Sequence, residues 1–232
     1  MYQKIITLIL VSLLAISSTP LSWRALGEVQ LSSTDYTDKI RSREKIIGQT
    51  LSSASFVPFT KSRLDISIDT KLIEPRGRMK WRSIILSALV DRDSEFLKLF
   101  VHEFAHFVDI YVLVREGKTP DISLDFYNIS WQSASIKKAW QKQPNFISWY
   151  AATNQYEDFA ESLVFYVFHN RVFEERAMRD DIIREKYLFF RNSVFPSGVF
   201  VDTDYSLGRV PGYTWDTTKL PISLQKYLYS LN

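Results

Sequence analysis

The sequence predicts an α+β fold that is mostly helical and carries a small sheet. Apolar residues recur at helical spacing over 94–115 and again over 154–175, whereas two shorter segments show the pattern of strands. With 46% hydrophobic and 15% aromatic residues among 232, the chain can bury the core of one sizeable domain. A formal net charge of +3 does not favour a nucleic-acid partner, and the absence of cysteine excludes disulfides and thiolate ligands.

The first 17 residues have the pattern of a signal peptide. Lys4 precedes an apolar run over 5–16, and Ala15 and Ser17 offer the small residues of a cleavage site. This run is shorter than the about 20 residues that a membrane-spanning helix needs. We therefore expect an exported protein, secreted or periplasmic; the alternative is an uncleaved anchor that keeps the chain at the membrane.

The rest of the chain divides into three parts. Segment 18–60, with a helix near 36–51, is expected to belong to the domain or to act as a pro-segment, and 61–192 forms the core. Within the core we expect strands at 63–73 and 82–88, and helices at 94–115, 133–143, 154–175 and 176–190. Segment 193–232 is rich in Pro and Gly and is expected to be an irregular segment that wraps the core.

The pattern His-Glu-Phe-Ala-His at 102–106 lies within the first of these core helices. Residues four apart share one face of a helix, so His102 and His106 can bind one metal ion from the same side. Glu103 is then placed to act as a general base on water. Because the chain has only three histidines, we interpret the pattern as a zinc site with one Zn²⁺ per chain; cobalt or manganese would also suit such ligands.

A third ligand is needed, because catalytic zinc commonly has three protein ligands. Asp109 and Val112 occupy the positions of the glycine and histidine that would extend the motif to a third histidine, so that class is excluded. Glu116 would lie about 15 Å further along the same helix than the histidines, which is too far to bind the same ion. Glu157 and Glu161 are the first glutamates that another helix offers, and one can bind the metal while the other supports it.

The segments HEFAHFVD (102–109) and YAATNQYEDFAES (150–162) resemble the catalytic domain of anthrax lethal factor and its relatives, which are gluzincin peptidases. The resemblance covers about residues 60–192. It implies a zincin-like fold in which the HExxH helix packs against a glutamate-bearing helix and a small sheet edges the cleft. It also implies that Glu157 is the third ligand, that Glu161 supports the site, and that Tyr150, seven residues before Glu157, stabilises the oxyanion.

These residues together predict a peptidase that acts on a peptide or protein substrate. Glu103 would take a proton from water and pass it to the leaving amine, and Tyr150 would assist the oxyanion. Asp109 either hydrogen-bonds a ligand imidazole or is an ordinary solvated acid. An extended substrate is expected to add to the sheet edge formed by 63–73 or 82–88.

Two other functions remain open from the sequence. One is a binding module that keeps the fold, and the zinc, without catalysis; the presence of Glu103, which has no ligand role, speaks against it. The other is an effector that acts in another cell.

Overall fold

The computed structural model describes residues 29–33, 38–114 and 121–231. The expected signal peptide at 1–17 lies outside these residues. Within the described part, none of the helices has both the length and the apolar character needed to cross a membrane.

The predicted α+β class is confirmed, although about half of the chain, rather than most of it, is helical. The helices are α1 (Asp38–Ser52), α2 (Asp93–Phe107), α3 (Ser123–Ser130), α4 (Gln155–Phe168), α5 (Asn170–Ala177), α6 (Asp181–Phe189) and α7 (Leu224–Ser230). The π-helical segments Val108–Leu113 and Phe190–Val194 continue α2 and α6.

A mixed four-stranded sheet contains β1 (Val29–Ser33), β2 (Leu64–Asp69), β3 (Gly77–Lys80) and β4 (Ser83–Ser87) in the order β1-β2-β4-β3. The β1/β2 and β2/β4 pairs are parallel, whereas β3 runs antiparallel to β4 with Met79 opposite Ile84. The strands predicted at 63–73 and 82–88 are present as β2 and β4, but both are interior. The expectation that one of them edges the cleft is therefore wrong: β1 and β3 are the edge strands, and β3 is the one that contacts α2.

Helix α2 lies at the centre of the molecule, where it packs against the sheet, α1 and α4. Its side chains Phe96, Phe100 and Phe104 are fully buried in one continuous apolar core. Helix α1 contributes Ile46 and Ile47 to the same core.

Arg43 on α1 joins that helix to the start of α2. The buried guanidinium donates hydrogen bonds to Asp93 at 2.9 Å and to the carbonyl of Ala88 at 2.8 Å. Burying a charge is unfavourable unless it is paired in this way. The pair therefore fixes α1 against the helix that carries the histidines.

Three predicted elements differ in the structure. The long helix expected over 154–175 breaks at His169, which leaves helical geometry and contacts Ser206 through Nδ1 at 2.6 Å. The short helix expected at 133–143 is wrong, because this segment forms the hairpin β5 (Trp131–Ser133) and β6 (Ile136–Lys137). Segment 193–232 is largely irregular as expected, but it ends in α7, which Ser223 caps by accepting from the Lys226 amide.

Candidate metal centre

His102 and His106 lie one turn apart on α2, at the surface that faces α4. Only 6% of the His102 side chain and 13% of the His106 side chain are exposed. Their ring centroids are 5.0 Å apart. The predicted helical placement of both imidazoles on one face is therefore present in the structure.

Glu157 reaches the same point from the first turn of α4. Asn154 caps this helix, and its side-chain oxygen accepts hydrogen bonds from the amides of Tyr156 and Glu157, each at 3.0 Å. This local cap fixes where Glu157 stands in the helix. The Oε2 atom of Glu157 lies 3.1 Å from Nε2 of His102 and 3.5 Å from Nε2 of His106.

His102, His106 and Glu157 form a group that could hold a metal ion. Each offers one ligand atom, and the three atoms lie within 4.8 Å of one another. Two imidazoles and one carboxylate form a common donor set for zinc in catalytic sites.

Electrostatic interactions within the group shift the pKa values of Glu157 and His102. Burial alone would raise the pKa of Glu157, but hydrogen bonds and the charges of His102 and His106 outweigh it and hold that pKa well below its usual range. Burial would likewise lower the pKa of His102, yet the carboxylates of Glu157 and Glu161 raise it well above its usual value. The positive charge that faces Glu157 is the proton on an imidazole ring. A metal cation bound here would take the place of that proton.

Glu103 lies beside this group but is not one of the three clustered ligands. Burial raises the pKa of its carboxyl, and the charges of His102 and His106, with a smaller contribution from a hydrogen bond donated by the backbone of Met79 on β3, partly offset this. A carboxylate with a raised pKa is better matched to taking up a proton near neutral pH. The edge strand thus orients the carboxylate that the sequence predicts as general base.

Gly77 allows this close approach of β3 to Glu103. A Cβ atom at position 77 would lie 2.7 Å from Oε1 and 2.9 Å from Cγ of Glu103. The Cδ1 atom of Leu99 would lie 3.0 Å from the same Cβ. All three atoms belong to side chains and none to the backbone, so an added methyl group should displace the Glu103 side chain while the fold is kept.

We therefore expect Gly77→Ala to lower kcat by up to about 100-fold, the scale of a displacement of roughly 1 Å in a reacting group. Metal content should not change, since Gly77 contacts no ligand. Gly212→Ala is the matched control, because nothing lies within 4 Å of the added methyl there. Equal turnover by both variants in a peptide-cleavage assay would contradict this role for Gly77.

Tyr150 lies against the first histidine. Its ring centroid is 6.0 Å from that of His102, with an angle of 26° between the ring planes. Burial raises the pKa of its hydroxyl, and the neighbouring Glu157 carboxylate, which accepts a hydrogen bond from it, raises the pKa further. The residue thus keeps its proton and remains a hydrogen-bond donor beside the candidate metal group.

Glu161 lies behind His102, on the side away from Glu157. Its Oε1 atom is 3.2 Å from Nδ1 of His102, and the side chain is fully buried. A carboxylate in this position favours a proton on Nδ1 and leaves the Nε2 lone pair for a metal. The supporting position predicted for Glu161 agrees with this placement.

Asp109 takes neither of its two expected roles. It is fully buried and so is not a solvated acid, and its Oδ2 accepts a hydrogen bond from the Tyr127 hydroxyl at 2.5 Å rather than from an imidazole. Burial raises its pKa to about 6, although hydrogen bonds from Ser123 and Tyr127 lower it in part.

Sequence reasoning missed several residues that complete the site. Gly77 and Met79 lie between the two predicted strands, where no element is expected. Ser148 and Thr217 donate hydrogen bonds to Glu161 from distant parts of the chain. The hydroxyl of Ser148 is 2.6 Å from Oε2 of Glu161, and the amide of Thr217 is 2.8 Å from the same atom. Only Gly77 gives a usable signal, as a glycine that follows Pro75 near the predicted cleft.

Comparison with known proteins adds no relative from which a function could be transferred. No protein-family model matches the chain, and no curated protein matches it. The candidate function therefore rests on the site itself and on the resemblance of its two helical segments.

Proposed function

We propose that this chain is an exported, zinc-dependent metallopeptidase of the gluzincin type, with the zincin-like fold that its resemblance to the lethal factor catalytic domain implies. One observation carries the proposal. His102, His106 and Glu157 come from two different helices and bring their ligand atoms within 4.8 Å of one another. Glu103 lies beside them on α2 and is not one of the three ligands. A carboxylate in that position can act as a general base in an enzyme, whereas a purely structural metal site has no use for it.

The donor set supports zinc as the metal. Imidazole nitrogens and one carboxylate are suited to Zn²⁺, and three protein ligands leave a coordination position free for chemistry. The carboxylate of Glu161 behind His102 adds the outer support that metal-binding histidines usually have. A zinc ion bound there would supply Lewis acidity toward a peptide carbonyl and would make water a stronger acid.

The protein residues then divide the remaining work. Glu103 accepts a proton from the attacking water and later delivers it to the leaving amine. Tyr150, whose hydroxyl keeps its proton, donates a hydrogen bond to the oxyanion as the carbonyl becomes tetrahedral. Both side chains are partly or fully enclosed, so their hydrogen bonds act in a medium less polar than bulk water.

The edge strand β3 is suited to hold an extended peptide. It lies at the end of the sheet order, with β4 on one side and Glu103 beside it. A peptide added to this edge by main-chain hydrogen bonds would pass the catalytic carboxylate. The exposed Trp81, at the tip of the β3–β4 hairpin, offers an apolar contact next to that path.

Metal analysis and peptide cleavage together test the proposal. We expect the purified full chain to carry about one zinc ion, and Glu157→Ala to lose most of it because only two imidazoles remain. Wild-type protein should cleave members of a degenerate peptide library, lose this activity to a chelator and regain it with added zinc. Zinc binding without any cleavage would favour a non-catalytic binding module, and a folded wild type that binds no zinc would exclude both.

A further inference from the structure

The carboxylate of Glu161 is held by two donors that come from outside its own helix. Ser148 lies 13 residues before it along the chain and Thr217 lies 56 residues after it. Both donate to Oε2, at 2.6 Å and 2.8 Å respectively. Oε1 therefore remains directed at Nδ1 of His102, 3.2 Å away, and neither of these two atoms has a hydrogen-bond partner elsewhere in the described part of the chain that would draw it away from this contact.

Thr217 belongs to a segment, residues 214–220, that we name the strap. Its Asp216 pairs with Arg76 at 2.5 Å, immediately before the edge strand, and its Leu220 carbonyl accepts a hydrogen bond from the buried Lys98 on α2. The backbone of Trp215 accepts a hydrogen bond from the amide of Tyr150 at 2.9 Å. The strap thus contacts the edge strand, the histidine helix and the segment that carries Tyr150.

We propose that Ser148 and the strap are positioning elements of the metal centre: they fix Glu161 so that it orients His102 for metal binding. The strap lies outside the region of resemblance, so this support belongs to the chain's own C-terminal segment. The inference rests on the proposed metal centre but not on peptide cleavage. Loss of a residue that holds a metal ligand in place through a hydrogen bond or an ion pair typically weakens metal binding by about 10- to 100-fold.

Position 217 offers a test of this backbone hydrogen bond. Thr217 is the first residue of a 3₁₀ helix, and Asp216 before it is extended, with φ −146° and ψ 126°, so the local backbone is compatible with proline. Thr217→Pro removes the amide donor, and its ring Cδ takes the place of the hydrogen that faces Oε2 of Glu161, so the substitution also displaces the carboxylate. Thr217→Val is the matched control, because it keeps the amide and removes only a hydroxyl that has no hydrogen-bond partner in the described structure.

Ser148→Ala removes the second donor, and Ser162→Ala is its control. Ser162 is a fully buried serine next to Glu161, but its hydroxyl contacts Asp158 instead. The zinc dissociation constant of each full-length variant is measured by competition with a chromophoric chelator, and folding is checked by circular dichroism. We expect Ser148→Ala and Thr217→Pro each to weaken zinc binding by about 10-fold or more, and both controls to match wild type.

Wild-type zinc affinity in folded Ser148→Ala and Thr217→Pro proteins would overturn the inference. If Thr217→Pro does not fold, Ser148→Ala decides the outcome alone. A wild type that binds zinc but cleaves no peptide would remove the proposed activity and leave the affinity comparison intact. A folded wild type that binds no zinc would overturn the metal centre and this inference together.

Discussion

Glu103→Gln is expected to lower kcat by about 10²- to 10⁴-fold, the usual contribution of a general base, while zinc remains bound. The amide has nearly the shape of the carboxylate and can still accept the hydrogen bond from the Met79 backbone. It cannot take a proton from water at neutral pH. Since Glu103 is outside the ligand group of His102, His106 and Glu157, the loss should appear in turnover and not in metal content.

Steady-state cleavage of a library-derived peptide, with zinc content measured on the same samples, checks this expectation. Glu157→Ala is the contrasting variant, because it should lose activity through loss of the metal. A Glu103→Gln protein that turns over like wild type would remove Glu103 from the mechanism. A variant that loses zinc would instead show that Glu103 helps to hold the metal site together.

The central part of the site is predictable from sequence because it is encoded locally. His102 and His106 need only the period of one helix, and Glu157 and Glu161 are visible as a glutamate pair on the next long helix, which Asn154 caps. The residues alone leave open which glutamate is the ligand, and the resemblance implies Glu157. Such patterns remain legible without knowledge of the fold. Helix α2 and strands β2 and β4 are predictable for the same reason, because the apolar positions in their sequences are the positions that the fold buries.

The remainder of the site depends on contacts between distant segments. Ser148 and Thr217 have no local pattern that predicts a hydrogen bond to Glu161. The edge strand β3 is only four residues long, begins two residues after Pro75 and is followed by Trp81, a non-glycine residue with φ 58°. A segment this short beside a proline has no strand pattern that the sequence alone would reveal. Its strand geometry comes from pairing with β4, which tertiary structure decides.

Lys186→Met is expected to lower the free energy of unfolding by about 3–5 kcal/mol, because it leaves a buried carboxylate without its counterion. The Lys186 ammonium and the Asp158 carboxylate are both fully buried, with Nζ 2.7 Å from Oδ2 and 2.9 Å from Oδ1. The ammonium also donates to the carbonyl of Asn145 at 2.9 Å, and the indole of Trp131 donates to Asp158.

This pair matters to the site because Asp158 follows Glu157 directly on α4. The same turn of helix therefore carries a candidate metal ligand and one member of a buried ion pair with α6.

Urea unfolding of the metal-free protein measures the loss of stability without a contribution from zinc binding. In the double variant Asp158→Asn/Lys186→Met the uncompensated charge is gone, and replacing both members of a buried pair is often close to neutral. We therefore expect the double variant to be more stable than Lys186→Met alone. If the single variant were as stable as wild type, Asp158 would have to be protonated or hydrated without Lys186, and the pair could not be what fixes the turn of α4 that presents Glu157.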